Sequence, residues 1–103
     1  MTDYQIYLID LFGKFREKYF DEYERERGNY DDPDIVSGIW KWYTENIKRI
    51  LLCSNFEDSK RQFLREIKEV CSRGFDDDIE NIKYYKKRYG KKINEEAKRR
   101  GWK

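Results

Sequence analysis

Apolar residues recur every three or four positions along most of the chain, which is the spacing of amphipathic helices. The first stretch carries the apolar stripe Tyr4, Leu8, Leu11, Phe12, Phe15, Tyr19 and Tyr23. The second carries Val36, Ile39, Trp40, Tyr43, Ile47, Ile50 and Leu51. The third carries Phe56, Phe63, Leu64, Ile67, Val70 and Cys71, and the fourth Ile79, Ile82, Tyr85, Tyr89, Ile93 and Ala97. Each stretch therefore predicts a helix with one buried face.

Capping residues mark where these helices begin. Thr2 and Gln5 have the spacing of a capping box for the first helix. Pro33 suits the first turn of the second helix, where its missing N–H has no partner to lose. Ser54 and Glu57 have the spacing of another capping box and predict the start of the third helix.

Gly28 and Gly74 tolerate the left-handed backbone that commonly follows a helix. With the caps, they predict four helices at residues 3–27, 33–53, 55–73 and 77–99. Connections of only a few residues favour antiparallel neighbours. We therefore expect an all-α fold, a single-domain antiparallel four-helix bundle that covers residues 1–103.

The composition is compatible with one folded domain in a chain of 103 residues. Only 38% of the residues are hydrophobic and 43% are charged, but three Trp, nine Tyr and six Phe supply large groups for a core. No stretch approaches the roughly 18 apolar residues of a membrane span, and the N-terminus lacks the features of a signal peptide. We expect a cytoplasmic protein without a membrane partner.

Cys53 and Cys71 fall at opposite ends of the predicted second helical hairpin. A separation of about 25 Å follows from a rise of about 1.5 Å per helical residue. Because that distance is too long for a disulfide, we expect free thiols in a reducing compartment.

Catalytic chemistry has little support in the sequence. The chain contains no histidine, which removes the commonest general base and metal ligand. It also lacks a glycine-rich phosphate loop and the usual hydrolase motifs. We expect a non-enzymatic protein with no catalytic residue, no metal site and no cofactor.

The C-terminal segment is strongly basic. Residues 82–103 hold ten Lys or Arg and two Glu, a net charge of +8, so the rest of the chain carries −6 of the total of +2. One helical face there collects Tyr84, Lys87, Arg88, Lys91 and Lys98. Cations aligned with an aromatic ring suit a phosphate backbone or an acidic protein surface, and a purely solvated face has the same composition. The pI near 8.4 is below that typical of nucleic-acid-binding domains.

Other residues are candidates for contacts with a partner. Trp42 and Trp102 are candidate interface residues, since tryptophan is enriched at interfaces, although Trp42 also suits the edge of the core. The first helix also carries a second stripe, which consists of Ile6, Ile9, Gly13 and Phe20. This stripe suits either a central position of the helix in the bundle or a homodimer seam.

An acidic segment lies between Glu17 and Asp34, with eight acids and three bases. Such a segment imitates a row of phosphates, but it is also typical of an exposed helix end, which is the interpretation that we favour. The leading hypothesis is a phage, viral or mobile-element accessory or inhibitor protein that binds a nucleic-acid-handling protein complex. The alternatives are direct DNA or RNA binding through the basic helix and a structural homo-oligomer.

Overall fold

Four α-helices account for most of the described chain. The computed structural model describes the backbone of residues 1–27, 33–73 and 79–103, and the side chains of residues 1–21, 41–72 and 79–103. The helices are α1 (Asp3–Arg27), α2 (Pro33–Leu51), α3 (Phe56–Arg73) and α4 (Ile79–Arg100). No strand occurs in these ranges, so the all-helical fold predicted from apolar periodicity is confirmed.

The first helix begins as its capping box predicts. The backbone N–H of Thr2 donates to Oε1 of Gln5 at 2.9 Å, and the N–H of Gln5 donates to Oγ1 of Thr2 at 3.4 Å. Reciprocal bonds of this kind satisfy two N–H groups that have no partner inside the helix. The start of α2 at Pro33 also agrees with the prediction.

The cap of α3 lies one residue later than predicted. Asn55 replaces Ser54 as the capping residue, because the N–H of Asp58 donates to Oδ1 of Asn55 at 2.9 Å. The side-chain amide of Asn55 in turn donates to Oδ2 of Asp58 at 3.0 Å. Asn is as effective a cap as Ser, and this register turns Phe56, the first helical residue, into the core at 4% exposure.

The end of α2 also differs from the prediction of residue 53. The helix ends at Leu51, and the N–H of Cys53 donates to the carbonyl of Ile50 at 3.3 Å. This tighter bond, between residues three apart, closes the last turn and directs the chain away from the helix axis.

At its C-terminus α4 extends to Arg100, one residue beyond the prediction. Gly101 then adopts a left-handed φ of 76°, and the N–H of Trp102 donates to the carbonyl of Ala97 at 2.9 Å. This is the bond of a Schellman motif, which satisfies a carbonyl that the helix itself leaves open. The predicted helix ends at Gly28 and Gly74, and the predicted start at residue 77, lie outside the described residues.

One continuous core joins all four helices. Its buried apolar members are Leu8, Leu11, Phe12, Phe15, Tyr19, Ile50, Phe56, Phe63, Ile67, Val70, Cys71, Ile82, Tyr85, Tyr89, Ile93 and Ala97. The predicted stripes of α1, α3 and α4 supply nearly all of them. Ile79 was assigned wrongly to the buried face: as the first residue of α4 it is 65% exposed. The predicted core side chains Tyr23, Val36, Ile39 and Trp40 lie outside the described side chains.

The central element is α3, which contacts each of the other helices. Near its middle, Phe63 packs edge-on against Phe12 of α1 at 5.3 Å and lies 6.4 Å from Tyr89 of α4. Near its start, Phe56 lies 5.7 Å from Trp102 at the end of the chain. Within the described residues, no helix is both long enough and apolar enough to cross a membrane.

Candidate interaction surfaces

The exposed face of α4 carries the basic stripe expected from the sequence. The opposite face buries Ile82, Tyr85, Tyr89, Ile93 and Ala97. Tyr84 is 55% exposed, Lys87 and Lys91 are exposed, and Arg88 is partly buried. We call the face formed by Tyr84, Lys87, Arg88 and Lys91 the α4 surface.

The α4 surface lies in a part of the helix whose charged residues are all positive. Residues 82–94 include six Lys or Arg and no Asp or Glu. Among the residues that the structure describes, neither Lys87 nor Lys91 forms an ion pair. Their charges are therefore available to a partner without the breaking of an existing pair.

Tyr84 is held among these cations by two contacts. Its ring packs edge-on against Tyr85 at 5.5 Å. Its hydroxyl accepts a hydrogen bond from Nη1 of Arg88 at 3.3 Å. An exposed ring in a fixed position offers a flat face for stacking as well as a hydroxyl for hydrogen bonding.

The C-terminal part of α4 is different, because its charges are paired within the helix. Glu96 forms ion pairs with Arg99 and with Nε of Arg100, the latter at 2.6 Å. The hydrogen bond from Arg99 lowers the pKa of the Glu96 carboxyl, and the same bond raises the pKa of Arg99. Exposed Glu95 lies between Lys91 and Lys98 on the helix, so Lys98 is separated from the α4 surface.

Trp102, which was predicted as an interface residue, packs at one end of the core. Its ring centre lies 5.5 Å from that of Tyr7, 5.7 Å from Phe56 and 6.4 Å from Tyr4. The guanidinium of Arg100 lies 5.3 Å from the ring centre. A signal for this role was present in the sequence, since an apolar residue after a helix-ending glycine commonly packs back on the helix.

A shallow groove runs along α1 and brings together three of the four residues proposed for self-association. It has a volume of about 480 Å³ and is lined by Met1, Ile6, Ile9, Asp10, Gly13, Lys14, Glu17 and Tyr43. At its floor, a Cβ atom added to Gly13 would lie 3.2 Å from the hydroxyl oxygen of Tyr43. Gly13 therefore makes room for the hydroxyl of Tyr43 from α2. We call this feature the α1 groove.

Phe20 and Trp42 are not among the residues that line the α1 groove. The ring of Phe20 is partly buried against the core and packs edge-on against Tyr19 at 5.3 Å. Trp42 is also partly buried, on α2. Phe20 thus contributes to the packing of α1.

A buried carboxylate between α2 and α3 was not anticipated from the sequence. Glu66 is 2% exposed and accepts hydrogen bonds from Nδ2 of Asn46 at 2.8 Å, Nε of Arg49 at 2.7 Å and Nε2 of Gln62 at 2.7 Å. The hydrogen bond to Glu66 raises the pKa of Arg49. The sequence signal for this burial was the position of Glu66 on the apolar stripe, three residues after Phe63 and four before Val70.

Cysteine and acidic side chains are the remaining candidates for a metal site. No group of three His, Cys, Asp or Glu residues within the described parts of the chain could hold a metal ion. Cys53 is partly buried and Cys71 is buried, and both are free thiols. The side chains of the acidic segment after Asp21 lie outside the described ranges.

Comparisons with protein-family models, with curated proteins and with solved structures found no match to this chain. Inference of its function therefore rests on the chemistry and geometry of its surfaces.

Proposed function

We propose that this chain is a small non-enzymatic binding protein that docks through the α4 surface onto an acidic face of a nucleic-acid-handling protein complex. The supporting observation is the run of six cations without an acid at residues 82–94, with exposed Lys87 and Lys91 outside any described ion pair. Such a field accelerates and orients association with an acidic partner. An accessory or inhibitory role, of the type encoded by phages, viruses and mobile elements, is part of this proposal.

The extent of the α4 surface favours a protein partner. From Tyr84 to Lys91 the helix rises only about 10 Å, at about 1.5 Å per residue. Glu95 interrupts the row beyond Lys91, and a phosphate backbone that continued along the helix would meet this negative charge. The net charge of the whole chain, +2, is also small for a nucleic-acid-binding domain.

Direct DNA or RNA binding is the second candidate, and the position of Tyr84 supports it. The ring is 55% exposed and is anchored by Arg88 beside two exposed lysines. Single-stranded nucleic acids bind surfaces that combine aromatic stacking with cations. Stacking combined with positive charge would compensate for the short length of the row of cations on the α4 surface.

Affinity capture with a matched pair of variants tests the proposal. The first variant carries Lys87→Glu and Lys91→Glu on the α4 surface. The control carries Lys41→Glu and Lys48→Glu, which make the same charge change at exposed positions of α2. We expect the native chain and the control to retain one protein partner from nuclease-treated host lysate, and the first variant to lose it.

Titration of fluorescent single-stranded and duplex oligonucleotides at two salt concentrations separates the two candidates. Binding that weakens steeply with salt and is lost only in the first variant would support the nucleic-acid candidate. If the two variants behave alike in both assays, the α4 surface is not the binding surface and the proposal fails.

The arrangement of the helices is a further part of the proposal. We propose an antiparallel up-and-down bundle. In support, Phe56 near the start of α3 pairs with Trp102 after α4, and Lys60 donates to Asn94 at 3.2 Å. Contacts between α1 and α3 join start to start, with Tyr4 5.7 Å from Phe56. This is the parallel orientation that the first and third helices have in an up-and-down bundle. A cytoplasmic location, where thiols stay reduced, suits the two free cysteines.

A further inference from the structure

The α1 groove combines exposed apolar side chains with a position that has no side chain. Ile6 is 53% exposed at its rim, Ile9 is partly buried, and the hydroxyl of Tyr43 lies against Gly13 at the floor. We propose that this groove is a self-association surface, in which the α1 helices of two copies pack antiparallel around a two-fold axis at the level of residue 12. The inference is independent of the α4 surface and of its partner.

Charge complementarity identifies a second copy as the occupant. Within one chain, Nζ of Lys14 lies 3.1 Å from Oδ2 of Asp10, with the two side chains 70% and 64% exposed. Two antiparallel helices related by an axis midway between these residues place each Asp10 beside the Lys14 of the other copy. Two parallel helices would instead place like charges together, which is unfavourable. The charges of Asp10 and Lys14 are therefore complementary to those of a second copy only in the antiparallel direction.

The steric pattern agrees with the same axis. In a dimer with a two-fold axis, every contact between two residues occurs twice, once on each side of the axis. With the axis at residue 12, Ile9 of one copy faces the level of residue 15 of the other, about 3 Å along the helix from Gly13 of that copy. The isoleucine of one copy and the glycine of the other therefore occupy neighbouring positions across the interface.

Sedimentation equilibrium of the full chain tests this proposal. We expect a monomer–dimer equilibrium at protein concentrations up to about 1 mM, which is the weak end of specific association. Asp10→Lys and Lys14→Asp should each raise the dimer Kd at least about tenfold, because each creates two like-charge contacts. An equimolar mixture of these two variants should restore dimerisation as a heterodimer, since every contact across the axis is then between opposite charges.

Ile6→Glu provides a second line of evidence that does not involve this ion pair. It should also raise the Kd at least about tenfold by placing a charge at the apolar rim. Lys41→Asp on α2 is the control and should leave the Kd unchanged. Circular dichroism would verify that each variant is folded, as expected for exposed positions. The proposal is wrong if the native chain stays monomeric, if the variants dimerise like the native chain, or if the mixture fails to form the heterodimer.

Discussion

Nε of Arg49 lies 2.7 Å from Oε1 of Glu66, so a partly exposed guanidinium on α2 neutralises a carboxylate of α3 that is almost fully buried. The second oxygen of Glu66 accepts a bond from the same nitrogen at 3.0 Å. A buried carboxylate is tolerated only while opposite charge and hydrogen-bond donors surround it. The pair therefore joins α2 to α3, and the burial of the Glu66 carboxylate depends on Arg49.

Replacement of Arg49 by Met should destabilise the protein by about 2 kcal/mol, less than for a fully buried pair because Arg49 is partly exposed. Urea denaturation monitored by circular dichroism would measure this loss. Arg61→Met is the control: Arg61 is 61% exposed and lies 3.8 Å from Glu57, and we expect a loss under about 0.5 kcal/mol. Equal losses in the two variants would contradict a special role for the buried carboxylate.

Two glycine-to-alanine substitutions should have opposite effects on stability. Gly101→Ala should cost about 1 kcal/mol, because a Cβ is unfavourable at a left-handed φ of 76°. Gly90→Ala should stabilise by about 0.5 to 1 kcal/mol, because it improves helix propensity inside α4. A Cβ at Gly90 would lie 3.8 Å from Leu64, an ordinary contact. Thermal unfolding would measure both effects, and a shift of the same sign in both variants would contradict this interpretation.

Alanine substitution should distinguish the two possible caps of α3. Asn55→Ala should destabilise the protein by about 1 kcal/mol, because the N–H of Asp58 loses its acceptor. Ser54→Ala, at the adjacent exposed position, should change stability by less than about 0.5 kcal/mol. Chemical denaturation of both variants would test this, and a larger effect at Ser54 would favour the cap expected from the sequence.

Cys53 should react slowly with alkylating reagents near neutral pH. Burial raises the pKa of the Cys53 thiol, and the negative charge of Asp58 adds to the shift. Because a raised pKa lowers the thiolate fraction at a given pH, the folded protein should react several-fold more slowly at pH 8 than the urea-unfolded chain.

The pH dependence of iodoacetamide labelling, read by peptide mass spectrometry, would measure this pKa in the native protein. Cys71 serves as the internal control, since it is fully buried and should remain unlabelled. A labelling midpoint at or below that of the unfolded chain would contradict the raised pKa of Cys53.

Apolar periodicity was sufficient to predict the helices and most of the described core, because every helix must bury one face. It was insufficient at the helix ends. Ser54 with Glu57 and Asn55 with Asp58 are equally suitable caps by sequence, and the burial of Phe56 decides between them. Ile79 matches the period of the fourth stripe, but at the first position of α4 it remains exposed.

The candidate surfaces were predictable where they depend on one helix alone. Lys87 and Lys91 of the α4 surface are exposed because they lie opposite a buried stripe of the same helix. The environments of Trp102 and Glu66 were not anticipated from the sequence, because they depend on contacts distant in sequence. Tyr4 and Tyr7 of α1 surround Trp102, and Asn46 and Arg49 of α2 surround Glu66.

The central position of α3 has a consequence for hydrogen exchange. Local opening of α3 would expose apolar groups of all three neighbouring helices together, so its amide hydrogens can exchange with solvent only when the protein unfolds as a whole. The slowest-exchanging amides should therefore belong to α3, and their rates should report the global free energy of unfolding.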